Sequence, residues 1–272
     1  MENIRVIEKI GKSPGKNIVI LAGVHGNEVC GVKAFNELIP ELEIEKGKVT
    51  FIYANLEAQK QNKRFVEYNL NRCFLDEQPN DMSQTLEGRT ATAIMEYLNE
   101  ADLLLDLHSS PTAGKNNFLI CEEDCLDLIK CLSPRKVIIG IDKIQKGGTD
   151  GYMFNKGKQG ICVECGSHES KESILTAKES ILNFLRNLNA IKGSIEKFDD
   201  KELYRTKYMY ISKNGDFNLK GNFNDFHQFN KRTLIGTDGD EEIFIEKEDI
   251  IMFPKKFEAI GKECFVILKK IN

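Results

Sequence analysis

The sequence predicts an α/β protein: a sheet covered by helices over residues 1–193, followed by a small, mostly β domain over residues 194–272. Three observations carry this. From Asn17 to about Asn189, short apolar runs alternate with amphipathic stretches, the pattern that strands and covering helices leave in a chain. Several runs are near-continuous Ile, Val and Leu, as expected where both faces of a parallel sheet are buried. After Lys192-Gly193-Ser194 the segments shorten and alternate, with Gly-Asp and Asp-Gly turns between them.

The first strand is expected from Asn17 to Ala22, around Ile18-Val19-Ile20-Leu21. Asn27 is a candidate N-cap for a helix from Glu28 to Leu38. Strands follow at Val49 to Ala54 and Leu103 to Leu107, separated by a helix whose buried side is Ala91, Ile94, Met95 and Leu98. Further strands are expected at Asn117 to Cys121, Lys136 to Ile141 and Gly160 to Glu164. Ile174, Ala177, Ile181, Leu185 and Leu188 recur every three or four residues and predict a long helix from about Glu169 to Asn189. In the second domain Glu242 to Ile245 and Cys264 to Leu268 read as strands, and the acidic cluster Asp238 to Glu242 as a solvated turn.

With 41% hydrophobic and 29% charged residues, the chain has the balance of a folded soluble protein rather than a disordered one. A net charge of -4, a pI near 5.8 and scattered lysines argue against a nucleic-acid partner. The N-terminus lacks the apolar core of a signal peptide, and no run approaches the roughly 18 apolar residues of a membrane span. The expectation is therefore a cytoplasmic protein with no membrane partner. Its eight cysteines then read as reduced thiols. Cys162 and Cys165 form a C-x-x-C within a strand, where alternation puts them on opposite faces. Cys121, Cys125 and Cys131 lack a matching second pair.

Four polar residues fall at or just past predicted strand ends: His25, Asn55, His108 and Glu164. That edge of an α/β sheet is where ligands bind. His25 and Glu28 stand three residues apart, so a turn entering a helix can aim both at one ion, with Gly23 and Gly26 easing the bend. Two histidines and one glutamate are a common ligand set of catalytic zinc. Alone, H-x-x-E is more often a surface pair and a lone His108 a hydrogen-bonded core residue; their joint placement at strand ends is the signal. Alternation alone does not assign Asp106 as the group that orients His108. Arg64 and Arg72 suit carboxylate recognition or a developing oxyanion. His168 reads as a surface residue at a helix start and His227 as packing among Phe223, Phe226 and Phe229.

Five motifs occur in one order: Gly23-Val24-His25-Gly26-Asn27-Glu28, Asn55-x-x-Ala58, the spacing of Arg64 to Asn71-Arg72, Asp106-Leu107-His108, and Val163-Glu164-Cys165-Gly166. Together they resemble the succinylglutamate desuccinylase and aspartoacylase family, relatives of the zinc carboxypeptidases, over about residues 17 to 168. The β-rich tail is similar in character to that family's C-terminal domain. The resemblance implies a zinc-carboxypeptidase-like mixed sheet and one zinc per chain held by His25, Glu28 and His108. Glu164 would be the general base or acid, and Arg64 would polarise the scissile carbonyl. Asn71 and Arg72 would grip a substrate carboxylate, with Asn55 also on the substrate side. The implied activity is hydrolysis of the amide bond of a small N-acyl amino acid or similar carboxylate-bearing amide.

Two departures stand out. The family commonly reads Asp-Leu-Asn-Arg where this chain has Asn69-Leu70-Asn71-Arg72, which removes a charge. The loop from Gly147 to Phe154 lacks a further arginine that an aspartoacylase would use on the acyl carboxylate, which counts against aspartoacylase proper. A zinc carboxypeptidase-type peptidase shares the metal chemistry and stays open, as does a metal-binding module without catalysis. A Ser or Cys nucleophile is the weakest reading, because Ser109 and Cys165 have no paired base suggested by the sequence. The acyl group, the amine and the oligomeric state, a homo-oligomer included, are left open.

Overall fold

The Ile-, Val- and Leu-rich runs form the inner strands of a mixed sheet. The computed structural model describes residues 3–111, 117–168, 170–256 and 259–271. The chain divides into two units, Met1–Val137 with Gln145–Lys201, and Ile138–Ile144 with Glu202–Asn272.

The first unit runs β1 (Arg5–Ile10), β2 (Ser13–Ala22), α1 (Cys30–Leu38), β3 (Lys46–Tyr53), α2 (Leu56–Lys60), α3 (Asn80–Ser83), α4 (Leu86–Glu100), β4 (Leu103–Ser110) and β5 (Phe118–Cys121). There follow β6 (Lys136–Ile139), which carries the chain into the second unit, then α5 (Thr149–Asn155), β7 (Gln159–Ser167) and α6 (Lys171–Asn187). Strands lie in the order β1-β3-β2-β4-β7-β5. The central four are parallel, while β1 on β3 and β5 on β7 are antiparallel. The apolar runs therefore mark the inner strands, and the sheet is mixed because its flanks reverse. Strand β1 escaped the sequence reading: Arg5 to Ile10 is half-exposed throughout, so no apolar run announces it.

Alternation decides which helix covers which face. Val19 and Leu21 of β2, with Ile52 and Leu104, pack under Ala91, Ile94 and Leu98 of α4 and Tyr152 and Met153 of α5. The other face meets α1, where Phe35 sits edge-on to Phe51 and Tyr53 at 5.2 Å each, and where a Cβ on Gly31 would meet Leu107 Cβ at 2.8 Å. Helix α6 packs beside α1 and turns Ala177, Ile181, Phe184 and Leu185 inward.

Two helix starts differ from expectation. Helix α1 begins at Cys30 with Val29 at its N-cap, so Asn27 caps nothing and Glu28 lies outside the helix. The Glu28 side chain is drawn into the site described below, and its amide closes a turn onto the His25 carbonyl at 3.0 Å. Helix α6 begins at Lys171, where the Ser170 hydroxyl accepts from the Glu172 amide; Glu169 lies outside the described residues.

The second unit is built of β8 (Glu202–Ile211), β9 (Phe217–Leu219), β10 (His227–Gln228), β11 (Thr233–Asp238), β12 (Glu241–Ile245), β13 (Ile250–Met252) and β14 (Glu263–Lys270). Antiparallel strands run β8-β14-β13-β10 and, separately, β12-β11-β9. Phe217, Ile235, Ile245, Ile251, Phe265 and Ile267 share one core, with the Tyr210 ring stacked on Phe265 at 5.1 Å. His227 is exposed, with its ring against Phe223 and Phe229.

The solvated-turn reading holds for the exposed residues 239–242 and fails at Asp238. This aspartate is fully buried and accepts from the Tyr210 hydroxyl (3.0 Å), the Ser212 hydroxyl (2.9 Å) and the amides of Lys213 (2.7 Å), Asn214 and Asp216 (3.3 Å each). A buried carboxylate is tolerated only when its lone pairs are so occupied. Asp238→Ala strands these donors and is expected to destabilise the second unit by about 3 kcal/mol, read as a lower urea midpoint at unchanged slope.

Candidate active site

Strand order places the site. From β2 the chain steps to β3 on one side, then crosses back to β4 on the other, so the loops after β2 and β4 diverge at a topological switch point. His25 and Glu28 follow β2, and His108 lies near the end of β4. Glu164 of β7 stands opposite His108 in the parallel register, and a register shift follows between His108 and Ser110. Such irregularities re-aim side chains at strand ends. Gly26 is required by close approach, because a Cβ there would fall 2.3 Å from the Ala58 carbonyl carbon.

Glu28 is the centre. Only 2% exposed, its Oε1 lies 2.8 Å from His25 Nδ1 and accepts from Arg64 Nη1 at 2.9 Å. Its Oε2 lies 3.0 Å from His108 Nδ1 and accepts from the Ser109 amide at 3.0 Å. The far side of each imidazole is held as well: His25 Nε2 meets Asn69 Oδ1 at 3.0 Å, and His108 Nε2 meets Asp106 Oδ2 at 2.9 Å. An Nε2–H donated outward leaves an Nδ1 lone pair pointing inward, the arrangement in which outer partners orient metal-binding histidines.

The residues fit a metal ion. One ligand atom from each of His25, Glu28 and His108 lies within 4.8 Å of the others. Both imidazole Nδ1 atoms face the Glu28 carboxylate, at 2.8 Å for His25 and 3.0 Å for His108, so the cluster gathers two nitrogen donors and a carboxylate around one point. A second grouping, Asp106, His108 and Cys162, is equally tight but is a support. Burial, and then Asp150, push the Cys162 thiol far up, which withholds the thiolate a metal needs. The Thr149 hydroxyl also donates to Asp106 Oδ2 at 2.6 Å.

Charge is distributed unequally between the histidines. Burial is the largest influence on His25 and lowers it to about 4; Glu28 opposes this, while Arg64 and His108 add to it. Burial lowers His108 too, but the charge and hydrogen bond of Asp106, with further bonds to Cys162 and Glu28, outweigh it and hold His108 well above the ordinary histidine value. For Glu28, burial is outweighed by the charges and hydrogen bonds of His25 and His108, which keep the carboxyl well below the usual range.

The other expected site residues are placed as follows. Arg64 is beside the cluster with its side chain 40% exposed. Asn71 and Arg72 form a half-buried 3-10 turn after Asn69, whose Oδ1 accepts the Asn71 amide at 3.1 Å. Arg72 Nη1 donates to the Asn71 carbonyl at 2.6 Å, and Gly147 packs so close to Arg72 that a Cβ would fall 2.3 Å from its carbonyl oxygen. Asn55 is shielded from solvent. It is fully buried in the left-handed region (φ 43°), and its amide bonds to Asn3, Val24 and Glu87.

Several contributors were not assigned from the sequence. Asp106 does orient His108: period-two alternation puts residues 106 and 108 on the same face of β4, which is the signal that was available. Thr149 comes from helix α5, whose short length hid it. His168 is not a bare surface residue, since its Nδ1 meets the Ser109 hydroxyl at 2.8 Å and its amide bonds to the Ser110 carbonyl at 3.0 Å. Cys162 and Cys165 do part company, Cys162 lying with Asp106 and His108 and Cys165 with Cys30.

Fold and site together define an α/β protein with a candidate His₂Glu metal cluster at the carboxyl edge of a mixed sheet. The chain belongs to the succinylglutamate desuccinylase/aspartoacylase family, whose catalytic-domain model ("Succinylglutamate desuccinylase/Aspartoacylase catalytic domain") matches residues 14–188. The succinylglutamate desuccinylase of Vibrio cholerae is 23% identical, over 94% of this chain and 81% of that protein. The solved succinylglutamate desuccinylase of Vibrio parahaemolyticus is 22% identical, with a TM-score of 0.80 over 98% of this chain and 86% of that one. The product-bound ectoine utilization protein EutE (DoeB) of Ruegeria pomeroyi is 20% identical, with a TM-score of 0.71 over 99% of this chain and 88% of that one. The fold is thus that of these proteins, and the chain is a deacylase of this family, an enzyme that hydrolyses an amide bond.

The raised His108 and lowered His25 set a sign for metal uptake. A raised His108 keeps a proton that a divalent cation must displace to higher pH than an ordinary histidine does, whereas His25, lowered to about 4, has none to lose near neutral pH. Affinity is expected to rise about tenfold per pH unit up to the His108 value, and more steeply below pH 4, where His25 also binds a proton. Titration calorimetry with a divalent cation, in buffers of different ionisation enthalpy, should register proton release that persists above the ordinary histidine range.

Proposed function

We propose that this enzyme is a zinc-dependent deacylase that cleaves the amide bond of a small N-acyl amino acid or similar carboxylate-bearing amide. One zinc per chain would be held by His25, Glu28 and His108. The observation that carries the reading is the convergence of two imidazole Nδ1 atoms on the buried Glu28 carboxylate, with both Nε2 atoms held from behind by Asn69 and Asp106. When bound, zinc supplies a water of lowered pKa and a positive charge beside the amide carbonyl.

The chain's own groups do the rest. Glu164, opposite His108 in the register, takes a proton at its carboxylate and returns it to the leaving amine. Arg64 holds Glu28 with one Nη and keeps a partly exposed guanidinium beside the cluster, where it stabilises charge developing on the carbonyl oxygen. Arg72 supplies the fixed cation for a substrate carboxylate. Asn71 supports a substrate donor, because its Oδ1 is buried with no hydrogen-bond partner among the described residues. The substrate class is supported by the names of the relatives, succinylglutamate desuccinylases of several bacteria. Eight buried cysteines, none in a disulfide, support a reducing compartment such as the cytoplasm. No helix among the described residues is long and apolar enough to cross a membrane.

The test pairs a substrate screen with one variant. N-succinylglutamate and other N-acyl amino acids should be turned over in preference to peptides, with one zinc per chain. Glu164→Gln should lower kcat by about 10²- to 10⁴-fold while zinc content stays at one. A Glu164→Gln enzyme that matched wild type on a confirmed substrate would remove Glu164 from the chemistry.

A further inference from the structure

The segment from Arg64 to Arg72 carries Arg64, Asn69, Asn71 and Arg72, yet apart from the short turn at Leu70–Arg72 it has no helix or strand of its own. Something must hold its backbone. Glu87, fully buried in the first turn of α4, accepts three consecutive amides of this segment: Val66 at 2.7 Å on Oε1, and Glu67 at 3.1 Å and Tyr68 at 3.0 Å on Oε2. Asn55 Nδ2 donates to Oε1 as well, at 3.3 Å. The hold is reciprocal, because Glu67 Oε2 accepts the Leu86 amide at the start of α4.

We propose that Glu87 is a positioning residue: its carboxylate clamps residues 66–68 and thereby sets Arg64 on one side against Glu28, and Asn69 on the other against His25. The connections are short. Arg64 is two residues before the clamp, and its carbonyl accepts the Gly26 amide at 3.1 Å; Asn69 is one residue after it. An ionised carboxylate is suited to this work, since both oxygens accept and amide bonds to a charged acceptor are strong. A glutamine cannot replace it, because its NH₂ would face backbone N–H groups. On this view Asn55, which orients Glu87, serves the site from a distance. The substrate-binding consequence rests on the functional reading above; the clamp itself does not.

The experiment compares Glu87→Gln with Glu67→Gln in the full-length chain. Glu67 is exposed, and its glutamine weakens the reciprocal bond from the solvent side by replacing a charged acceptor with a neutral one, which keeps the test alive if the buried variant folds poorly. Amide hydrogen exchange at residues 66–68 should speed up at least tenfold in Glu87→Gln, and less in Glu67→Gln, while the β2 and β4 amides stay protected. Zinc affinity should fall about 10- to 100-fold, as when a group that orients a ligand is lost. With N-succinylglutamate as the probe, KM should rise at least tenfold and kcat, at saturating zinc, should fall as well, because the clamp also sets Arg64. Unchanged exchange at residues 66–68 would overturn the clamp. Faster exchange with unchanged zinc affinity and KM would overturn its positioning role. If wild type turned over no N-acyl amino acid, the functional reading would fall, while exchange and zinc affinity would still decide this one.

Discussion

A carboxylate 2% exposed to solvent, Glu28, imposes the condition that the rest of the first unit meets. Burying an ion costs several kcal/mol unless its oxygens are occupied. Here the occupants come from separate parts of the chain: His25 after β2, Arg64 from the loop after α2, and His108 and the Ser109 amide from β4. No local segment could supply them. Parallel pairing of β2 with β4 brings the first and last together at the switch point. Losing the buried His108 partner would cost about 3–5 kcal/mol, and Glu28 lies outside helix α1, within reach of all of these groups.

Around that carboxylate the two histidines are backed differently. Asp106 puts a carboxylate behind His108, and Thr149 holds Asp106 in turn, whereas Asn69 puts a neutral amide behind His25. The neutral residue at position 69 therefore bears on the His25 ring as well as on the turn at Leu70–Arg72. A charged partner would raise the basicity of His25; the amide leaves burial to dominate, and His25 stays neutral well into the acid range. The two histidines thus differ in proton affinity, His108 raised and His25 lowered.

Much of this was legible in the sequence because it depends on short-range pattern. Continuous apolar runs located β2, β3, β4 and β7, and the polar residues near or past their ends drew attention to His25 and His108, which the fold brings together. Features that depend on who lies across the fold were not legible. Asn55 has the composition of a site residue, and only its neighbours Asn3 and Glu87 show it to be a scaffold. Glu87 itself sits in an unremarkable helix turn, and Asp238 in a run of acids that looks solvated; each is buried because backbone amides from elsewhere converge on it. Strand β1 is too evenly exposed to announce itself. Asp106 differs from these, since the alternation that places it beneath His108 is present in the sequence.

The central claim is that His25, Glu28 and His108 form one metal site. Anomalous diffraction at the zinc edge, on crystals of the chain loaded with one equivalent of zinc, tests it most directly. The account predicts a single strong peak between His25 Nδ1, His108 Nδ1 and the Glu28 carboxylate, with the Asn69 and Asp106 contacts intact behind the rings. A peak elsewhere, or none at this cluster with the protein folded and saturated with zinc, would contradict it.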